Sequence, residues 1–181
     1  MIWFTADLHL GHKNILKHCP KRGDFVLIHN MNASFISIIN FYVDKNDELW
    51  ILGDFAWGDP SKYLNLIRCR HVNLVLGNHD KISVYKRLIS SANNLMGVHQ
   101  VHTLSVNKQK FFLSHYAHFS WPTKSHGTIH LYGHSHGTME DRLDTFDPSR
   151  RSMDVGVDAA RDCLGMYRPF SIEEITGYLN G

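Results

Sequence analysis

The chain has 181 residues, of which 43% are hydrophobic and 20% are charged, and its formal net charge is +2. This length allows one domain with a substantial core and is short for two, so we expect residues 1–181 to form a single domain. The small net charge, with no run of like charges, argues against bulk binding to nucleic acid or to a membrane surface. The unusual feature of the composition is its 14 histidines.

Cysteine usage and hydropathy indicate the compartment. Cys19, Cys69 and Cys163 are widely spaced and form no Cys-x-x-Cys pair, which is typical of free thiols in a reducing compartment. Residues 1–4 contain no basic leader, and the longest apolar stretch, 35–43, is far shorter than a membrane span. We therefore expect a cytoplasmic protein with no membrane partner.

In chain order, the apolar patterns predict strands that alternate with helices in the first half and mostly β structure in the second. The first half is predicted to contain strands over 2–6, 48–52 and 72–76 and helices over 11–19, 28–43, 60–70 and 82–91. The second half is predicted to contain a hairpin over 98–114 that turns at 106–109, strands over 129–132 and 152–157, and loops over 115–127 and 137–152. Ser171 is predicted to cap a final helix that ends at Leu179.

Polar side chains follow the end of each predicted strand. The segments concerned are Asp7-Leu8-His9, Gly53-Asp54, Gly77-Asn78-His79-Asp80, His115 and Gly133-His134-Ser135-His136. Because the carboxyl ends of neighbouring strands meet at one edge of a sheet, we expect these side chains to converge there. In an extended backbone, residues i and i+2 point to the same side, so Asp7 should aim with His9, and His134 with His136. Carboxylate, imidazole and amide ligands suit manganese, iron, zinc or nickel.

Taken in order, these five segments resemble the five motifs of the calcineurin-like metallophosphoesterase superfamily. The resemblance covers residues 1 to about 158, and the opening segment 7–12 is also similar to that of a small bacterial and phage subgroup of compact phosphoesterases. A match of five motifs in order is far more specific than a match of any one of them. The resemblance implies an α/β (α+β) fold, a four-layer αββα sandwich of two mixed β-sheets flanked by helices.

The resemblance also implies a site with two divalent metal ions, manganese first among the candidates. The first ion would be held by Asp7, His9, Asp54 and His136, and the second by Asp54, Asn78, His115 and His134. A hydroxide shared by the two ions would attack phosphorus, and Asp54 would bridge them. His79 would protonate the departing oxygen as general acid, and Asp80 would orient and charge its imidazole.

Residues close in sequence to Asp7 and His9 are candidates for contacts to the substrate phosphate. They are His12, Lys13, Asn14 and Arg22. Aromatic residues near the motifs offer stacking surfaces, but we expect Phe55, Trp57 and Trp121 to be core or loop anchors. Asp158 also follows a predicted strand, and because the ligand set is already full we expect it to have a structural or supporting role.

The leading hypothesis is a phosphoesterase that acts on a small phosphate ester or a short nucleotide, with diesters preferred because a short chain leaves an open site. One alternative is a nuclease on short or single-stranded nucleic acid, although no basic stripe with interleaved aromatics is visible. Another is a non-catalytic binding module on the same fold. The oligomeric state does not follow from the sequence.

Overall fold

The computed structural model describes residues 1–91 and 94–180. Its first sheet contains β1 (Ile2–Thr5), β2 (Glu48–Leu52), β3 (His71–Val75), β4 (Leu95–His99) and β9 (Phe170–Ser171) in the order β4-β3-β2-β1-β9. The first four strands are parallel to one another, and β9 is antiparallel to β1.

The second sheet contains β5 (Val101–Val106), β6 (Gln109–Ser114), β7 (Ile129–Tyr132) and β8 (Ser152–Asp154) in that order. Strands β5 and β6 form an antiparallel hairpin, whereas β6, β7 and β8 run parallel. Both sheets are therefore mixed, as predicted. The hairpin turn contains Asn107 and Lys108 with φ of 49° and 68°, the left-handed backbone that a two-residue hairpin loop requires.

The helices lie outside the sheets. They are α1 (Ile15–His18), α2 (Ile28–Tyr42), α3 (Ser61–Leu64), α4 (Ile82–Ile89), α5 (Glu140–Phe146), α6 (Val157–Leu164) and α7 (Ile172–Asn180), with short 3₁₀ turns at Pro20–Arg22 and Lys124–His126. In the described part of the chain, no helix is long and apolar enough to cross a membrane. The capping prediction at α7 is confirmed, because the Ser171 hydroxyl accepts a hydrogen bond from Glu174 N while Glu174 accepts one from Ser171 N.

Alternation along the strands of the first sheet creates two apolar clusters. Leu49 and Ile51 of β2 face one side and pack with Phe35 of α2, while Trp50 and Leu52 face the other side and pack with the second sheet. The Phe4 and Phe111 rings meet between the sheets with their centroids 6.0 Å apart. On the far side of the second sheet, Tyr132 donates a hydrogen bond to Glu140 of α5. The layers are thus helix, sheet, sheet and helix, and the predicted αββα sandwich is confirmed.

Several segments differ from the sequence-based expectation. The strand predicted over 152–157 ends at Asp154, and α6, which the patterns did not predict, begins at Val157. The helix predicted over 60–70 ends at Leu64, because the Asn94 side chain donates hydrogen bonds to the carbonyl oxygens of Leu64 and Ile67. The helix predicted over 11–19 is confined to Ile15–His18. The loop predicted over 137–152 contains α5, which is anchored by Arg150 through ion pairs to Glu140 and Asp144 rather than by an apolar stripe that a pattern could reveal.

Part of the predicted hairpin region belongs to a different sheet. Residues 98 and 99 complete β4, which pairs in parallel with β3, and only the strands from Val101 to Ser114 form the hairpin. The two sheets meet at the carboxyl end of β1, where Ala6 forms a parallel bridge with Gly156. This junction brings the segments after the strands of both sheets to one edge of the sandwich.

Candidate metal centre

The strand-end segments converge at this edge into two groups of ligand atoms. In the first group, one ligand atom from each of Asp7, His9 and His136 lies within 4.8 Å of the others. A second group of the same compactness is formed by Asp54, His115 and His134. Asn78 joins the second group, since its Oδ1 lies 3.0 Å from His115 Nε2. The structure therefore brings together all seven residues predicted as metal ligands.

Asp54 belongs to the second group and also faces the first. Its Oδ2 is 3.5 Å from His9 Nε2 in the first group and 3.6 Å from His115 Nε2 in the second. The other oxygen, Oδ1, accepts a hydrogen bond from the backbone N–H of His79 at 3.0 Å. One carboxylate is thus fixed by a backbone contact while its free oxygen faces imidazoles of both groups.

The local backbone is unlike the extended segments assumed from the sequence. A left-handed φ, between 48° and 66°, occurs at Asp7, His9, Asp54, His134 and His136. The expectation that the i, i+2 pairs converge because the chain is extended is therefore wrong. Asp7 and His9 do share the first group, whereas His134 and His136 belong to different groups. Such a conformation costs of the order of 1–3 kcal/mol per non-glycine residue and persists where the surroundings hold it, which is common at functional sites.

Glycines next to the ligands permit close approach of the backbone. A Cβ placed on Gly77 would lie 2.2 Å from Asp54 Oδ1, and one on Gly53 would lie 2.2 Å from His115 Nδ1. Gly53 also has a φ of 95°, which disfavours any other residue. The glycines that precede the polar residues in the motifs are therefore sterically required by the ligand positions.

Two buried polar atoms in the first group fit a cation. Asp7 Oδ1 and His9 Nε2 are buried and have no hydrogen-bond partner within the described residues. Leaving such groups unpaired is unfavourable, and a divalent cation would satisfy both at once. Burial, together with the positive charge of Arg22 and of His136, lowers the pKa of His9 to about 2, so its imidazole is neutral and available as a ligand.

Neighbouring carboxylates make the metal-free centre unfavourable. Burial, with the charges of Asp154 and Asp54, raises the pKa of Asp7 well above its usual range. Burial alone would lower the pKa of His136, but hydrogen bonding to Asp158 and nearby negative charge raise it to about 10. A bound cation would favour the deprotonated form of both groups, so the donor set fits a divalent metal.

Asp158 is the residue that supports His136. Its Oδ2 lies 2.6 Å from His136 Nδ1, and both of its oxygens accept hydrogen bonds from the Arg22 guanidinium at 2.6 and 2.9 Å. This contact fixes the orientation of the His136 ring, which also belongs to the first ligand group. The supporting role expected for Asp158 agrees with this geometry.

Arg22 corrects one prediction about substrate contacts. The sequence suggested that it binds phosphate, yet its side chain is fully buried. Besides Asp158, its guanidinium donates to the backbone carbonyls of Asp7 and Leu8. Because these acceptors occupy its donors inside the protein, Arg22 holds the first motif in place and is withdrawn from the substrate-binding set.

The other predicted substrate contacts lie at the rim. The His12 ring is half-buried, with its centroid 5.6 Å from that of His9, and Asn14 is exposed at the start of α1. Lys13 lies between them and is exposed. These positions are compatible with contact to a ligand above the first group.

His79 and Asp80 occupy different environments. The His79 side chain is 39% exposed, and its Nε2 lies 4.0 Å from Asp54 Oδ2. The Asp80 carboxylate instead accepts hydrogen bonds from Asp54 N at 2.7 Å, Gly77 N at 2.9 Å and the Tyr85 hydroxyl at 2.8 Å. The predicted contact between Asp80 and the His79 ring is therefore replaced by contacts that tie two motif loops together.

Three supporting residues escaped the sequence analysis. Asp154 at the end of β8 accepts hydrogen bonds from Ser135 Oγ at 2.6 Å and from Gly137 N at 2.9 Å, and so holds the loop that carries His134 and His136. Its position after a strand was an available signal. No sequence signal indicated Tyr85 or Tyr116, because a helix carries Tyr85 to the site and a loop places Tyr116 beside His134.

Comparisons with known proteins agree with this fold. No protein-family model matches the sequence. An uncharacterised protein from Methanocaldococcus jannaschii is 28% identical over 178 residues, which cover 96% of this chain and 88% of that protein. A solved protein of unknown function from Aquifex aeolicus aligns with a TM-score of 0.73 and 22% identity over 98% of both chains. An archaeal phosphodiesterase aligns with a TM-score of 0.51 and 18% identity over 88% of this chain and 85% of that one. The chain therefore shares its fold with the Aquifex aeolicus protein and with the archaeal phosphodiesterase.

Proposed function

We propose that this protein is a metal-dependent phosphoesterase that hydrolyses small phosphate esters or short nucleotides, with phosphodiesters preferred. The observation that carries the proposal is the position of Asp54 Oδ2, which lies 3.5 Å from His9 Nε2 and 3.6 Å from His115 Nε2. A carboxylate oxygen that faces imidazole nitrogens of both ligand groups is the arrangement expected of a bridge between two cations. The phosphodiesterase activity of the archaeal structure supports the choice of chemistry.

The proposed ligands divide between two divalent ions. Asp7, His9, Asp54 and His136 would hold the first, and Asp54, Asn78, His115 and His134 the second. Manganese is proposed as the resident metal, with iron, zinc and nickel accepted by the same ligand types. When bound, the ions would supply an activated water as nucleophile and would neutralise charge on the phosphoryl oxygens.

His79 is proposed as the general acid. Its backbone N–H is fixed to Asp54 Oδ1 at 3.0 Å, while its side chain remains partly exposed at the mouth of the site. A ring held beside the bridging carboxylate, and outside both ligand groups, can donate a proton from Nε2 to the oxygen that leaves phosphorus. Asp80 acts as a positioning residue, since it fixes the backbone on which His79 and Asp54 are carried.

Openness of the site supports the preference for diesters. His79 is 39% exposed and His134 is also exposed, so both ends of the ligand cluster are accessible. A phosphodiester needs room for a substituent on each side of phosphorus, and this arrangement offers it. We further propose that residues 1–181 form one domain, because β1 and β2 contribute to both apolar clusters.

The proposal is tested with chelator-treated protein to which manganese is restored. Hydrolysis of bis(4-nitrophenyl) phosphate is compared with that of 4-nitrophenyl phosphate, with Asp54→Asn as the inactive control. The His79→Asn variant should lose about 10²–10⁴-fold in kcat with an alkyl leaving group and less with nitrophenolate, which needs little protonation. Turnover that survives in Asp54→Asn would refute the two-metal assignment, and hydrolysis of the monoester alone would refute the diester preference.

A further inference from the structure

A cavity of about 530 Å³ opens beside His79 and extends away from the metal ligands toward α4. Its walls include Trp57, Pro60, His79, Lys81, Val84 and Tyr85. The volume falls within the roughly 300–1,000 Å³ that is typical of pockets for small-molecule ligands. None of the functions assigned above uses the wall opposite His79.

Trp57 is the aromatic wall of this cavity. Its side chain is 49% exposed, whereas Trp3, Trp50 and Trp121 are buried, so of the two roles expected for it, core or loop anchor, the core role is wrong. The His12 ring stacks on the Trp57 ring with centroids 4.5 Å apart and an interplanar angle of 12°. The Trp57 centroid also lies 5.2 Å from that of His79. Trp57 is thus held in a fixed orientation while much of its surface remains open to a ligand.

The direction of the reaction decides which part of a substrate enters the cavity. His79 gives its proton to the oxygen that leaves phosphorus, so the leaving group must lie on the side of His79 when the bond from phosphorus to that oxygen breaks. The proton and the departing oxygen then form an alcohol, and the new bond joins water oxygen to phosphorus. The cavity shares His79 and Asn78 with the metal centre. It therefore adjoins the position at which His79 would protonate the leaving oxygen.

We propose that this cavity binds the leaving group of the substrate and that Trp57 stacks on a flat nucleobase, so that the enzyme prefers esters whose leaving alcohol is a nucleoside. This inference rests on the proposed function, because the orientation of the substrate depends on His79 as the general acid. Stacking of a base on an aromatic side chain tolerates every base, since each has a π face. Trp57 and Val84 are accordingly specificity-determining residues.

Equilibrium binding tests the inference without turnover. Calorimetry on manganese-loaded protein compares adenosine 5′-monophosphate with ribose 5-phosphate, which has a hydroxyl in place of the base, under conditions in which no phosphate is released. The wild-type protein should bind the nucleotide about fivefold more tightly or better, the smallest effect expected of one stacked base. Trp57→Leu removes the stacking surface and Val84→Phe fills the cavity, so each should abolish the difference between the two ligands.

Phe119→Leu is the matched control, because Phe119 is an aromatic residue with 64% exposure that lines a different cavity with Phe146. It should keep the wild-type preference. Phenyl phosphonate provides a single-ring probe, and an equally strong dependence on Trp57 with this probe would overturn the nucleoside assignment. Equal affinities for the nucleotide and the sugar phosphate in the wild type would overturn the inference, even if phosphodiesters are hydrolysed. If the protein prefers the nucleotide but has no esterase activity, the assignment of the cavity as a nucleoside site would stand and the proposed reaction would be refuted.

Discussion

Replacement of Arg22 by methionine should destabilise the protein rather than weaken substrate binding. The Arg22 side chain and its partner Asp158 are both fully buried and pair at 2.6 Å. Methionine matches the length of the buried stem but leaves the Asp158 carboxylate without its cation. Removing one partner of a buried pair costs about 3–5 kcal/mol, and because Asp158 keeps its contact with His136 we expect the lower end, about 3 kcal/mol.

Thermal unfolding followed by circular dichroism measures this effect. For a protein of this size, about 3 kcal/mol corresponds to a fall in Tm of about 6–12 °C. Arg161→Met is the matched control, since Arg161 pairs with Asp24 at the surface with side-chain exposures of 40% and 57%, and its Tm should be nearly unchanged. The double variant Arg22→Met, Asp158→Leu removes both partners of the pair and should unfold at a higher temperature than Arg22→Met alone. An unchanged Tm in Arg22→Met, together with a raised KM for a phosphate ester, would show that Arg22 binds substrate and does not stabilise the fold.

Two further predictions concern metal binding. Because the pKa of His136 is about 10 before metal binds, the cation must displace a proton, so metal affinity should rise from pH 6 to pH 9. Calorimetry in buffers of different ionisation enthalpy should detect the released proton. The Asp158→Asn variant lowers the pKa of His136 and should therefore flatten the pH dependence of metal affinity. The same metal affinity at pH 6 and pH 9 would contradict the assignment of His136 as a metal ligand. Gly77→Ala should weaken metal binding by about 10–100-fold, since its Cβ would meet Asp54 Oδ1 at 2.2 Å. Gly177→Ala, whose Cβ would meet none of the described residues within 4 Å, should not, and equal affinities in the two variants would show that the close contact is unimportant.

The convergence of the motif residues could be anticipated because it follows from topology. Strands β1, β2 and β3 are parallel neighbours in one sheet, so Asp7, Asp54 and Asn78 leave the sheet at the same edge. The second sheet contributes His115 and His134 at the same place because it meets the first at the bridge between Ala6 and Gly156. A pattern of apolar runs that end in polar residues carries this information directly.

The conformation and support of these residues could not be anticipated. The left-handed backbone at Asp7 and His9 depends on tertiary contacts, such as the hydrogen bond from His9 N to Asp54 O at 2.9 Å. The pair of Arg22 and Asp158 joins residues 136 positions apart, and no local pattern indicates it. Arg22 therefore had the sequence neighbourhood of a phosphate-binding residue but the environment of a structural one.

Titration of the chelator-treated protein with manganese, followed by both bound metal and phosphodiester hydrolysis, tests the central claim most directly. The two ligand groups that share Asp54 predict that two equivalents bind and that activity rises until both are bound. The Asp54→Asn variant should show neither full stoichiometry nor turnover. Full activity with one equivalent, or two tightly bound ions with no hydrolysis of any phosphate ester, would contradict the account.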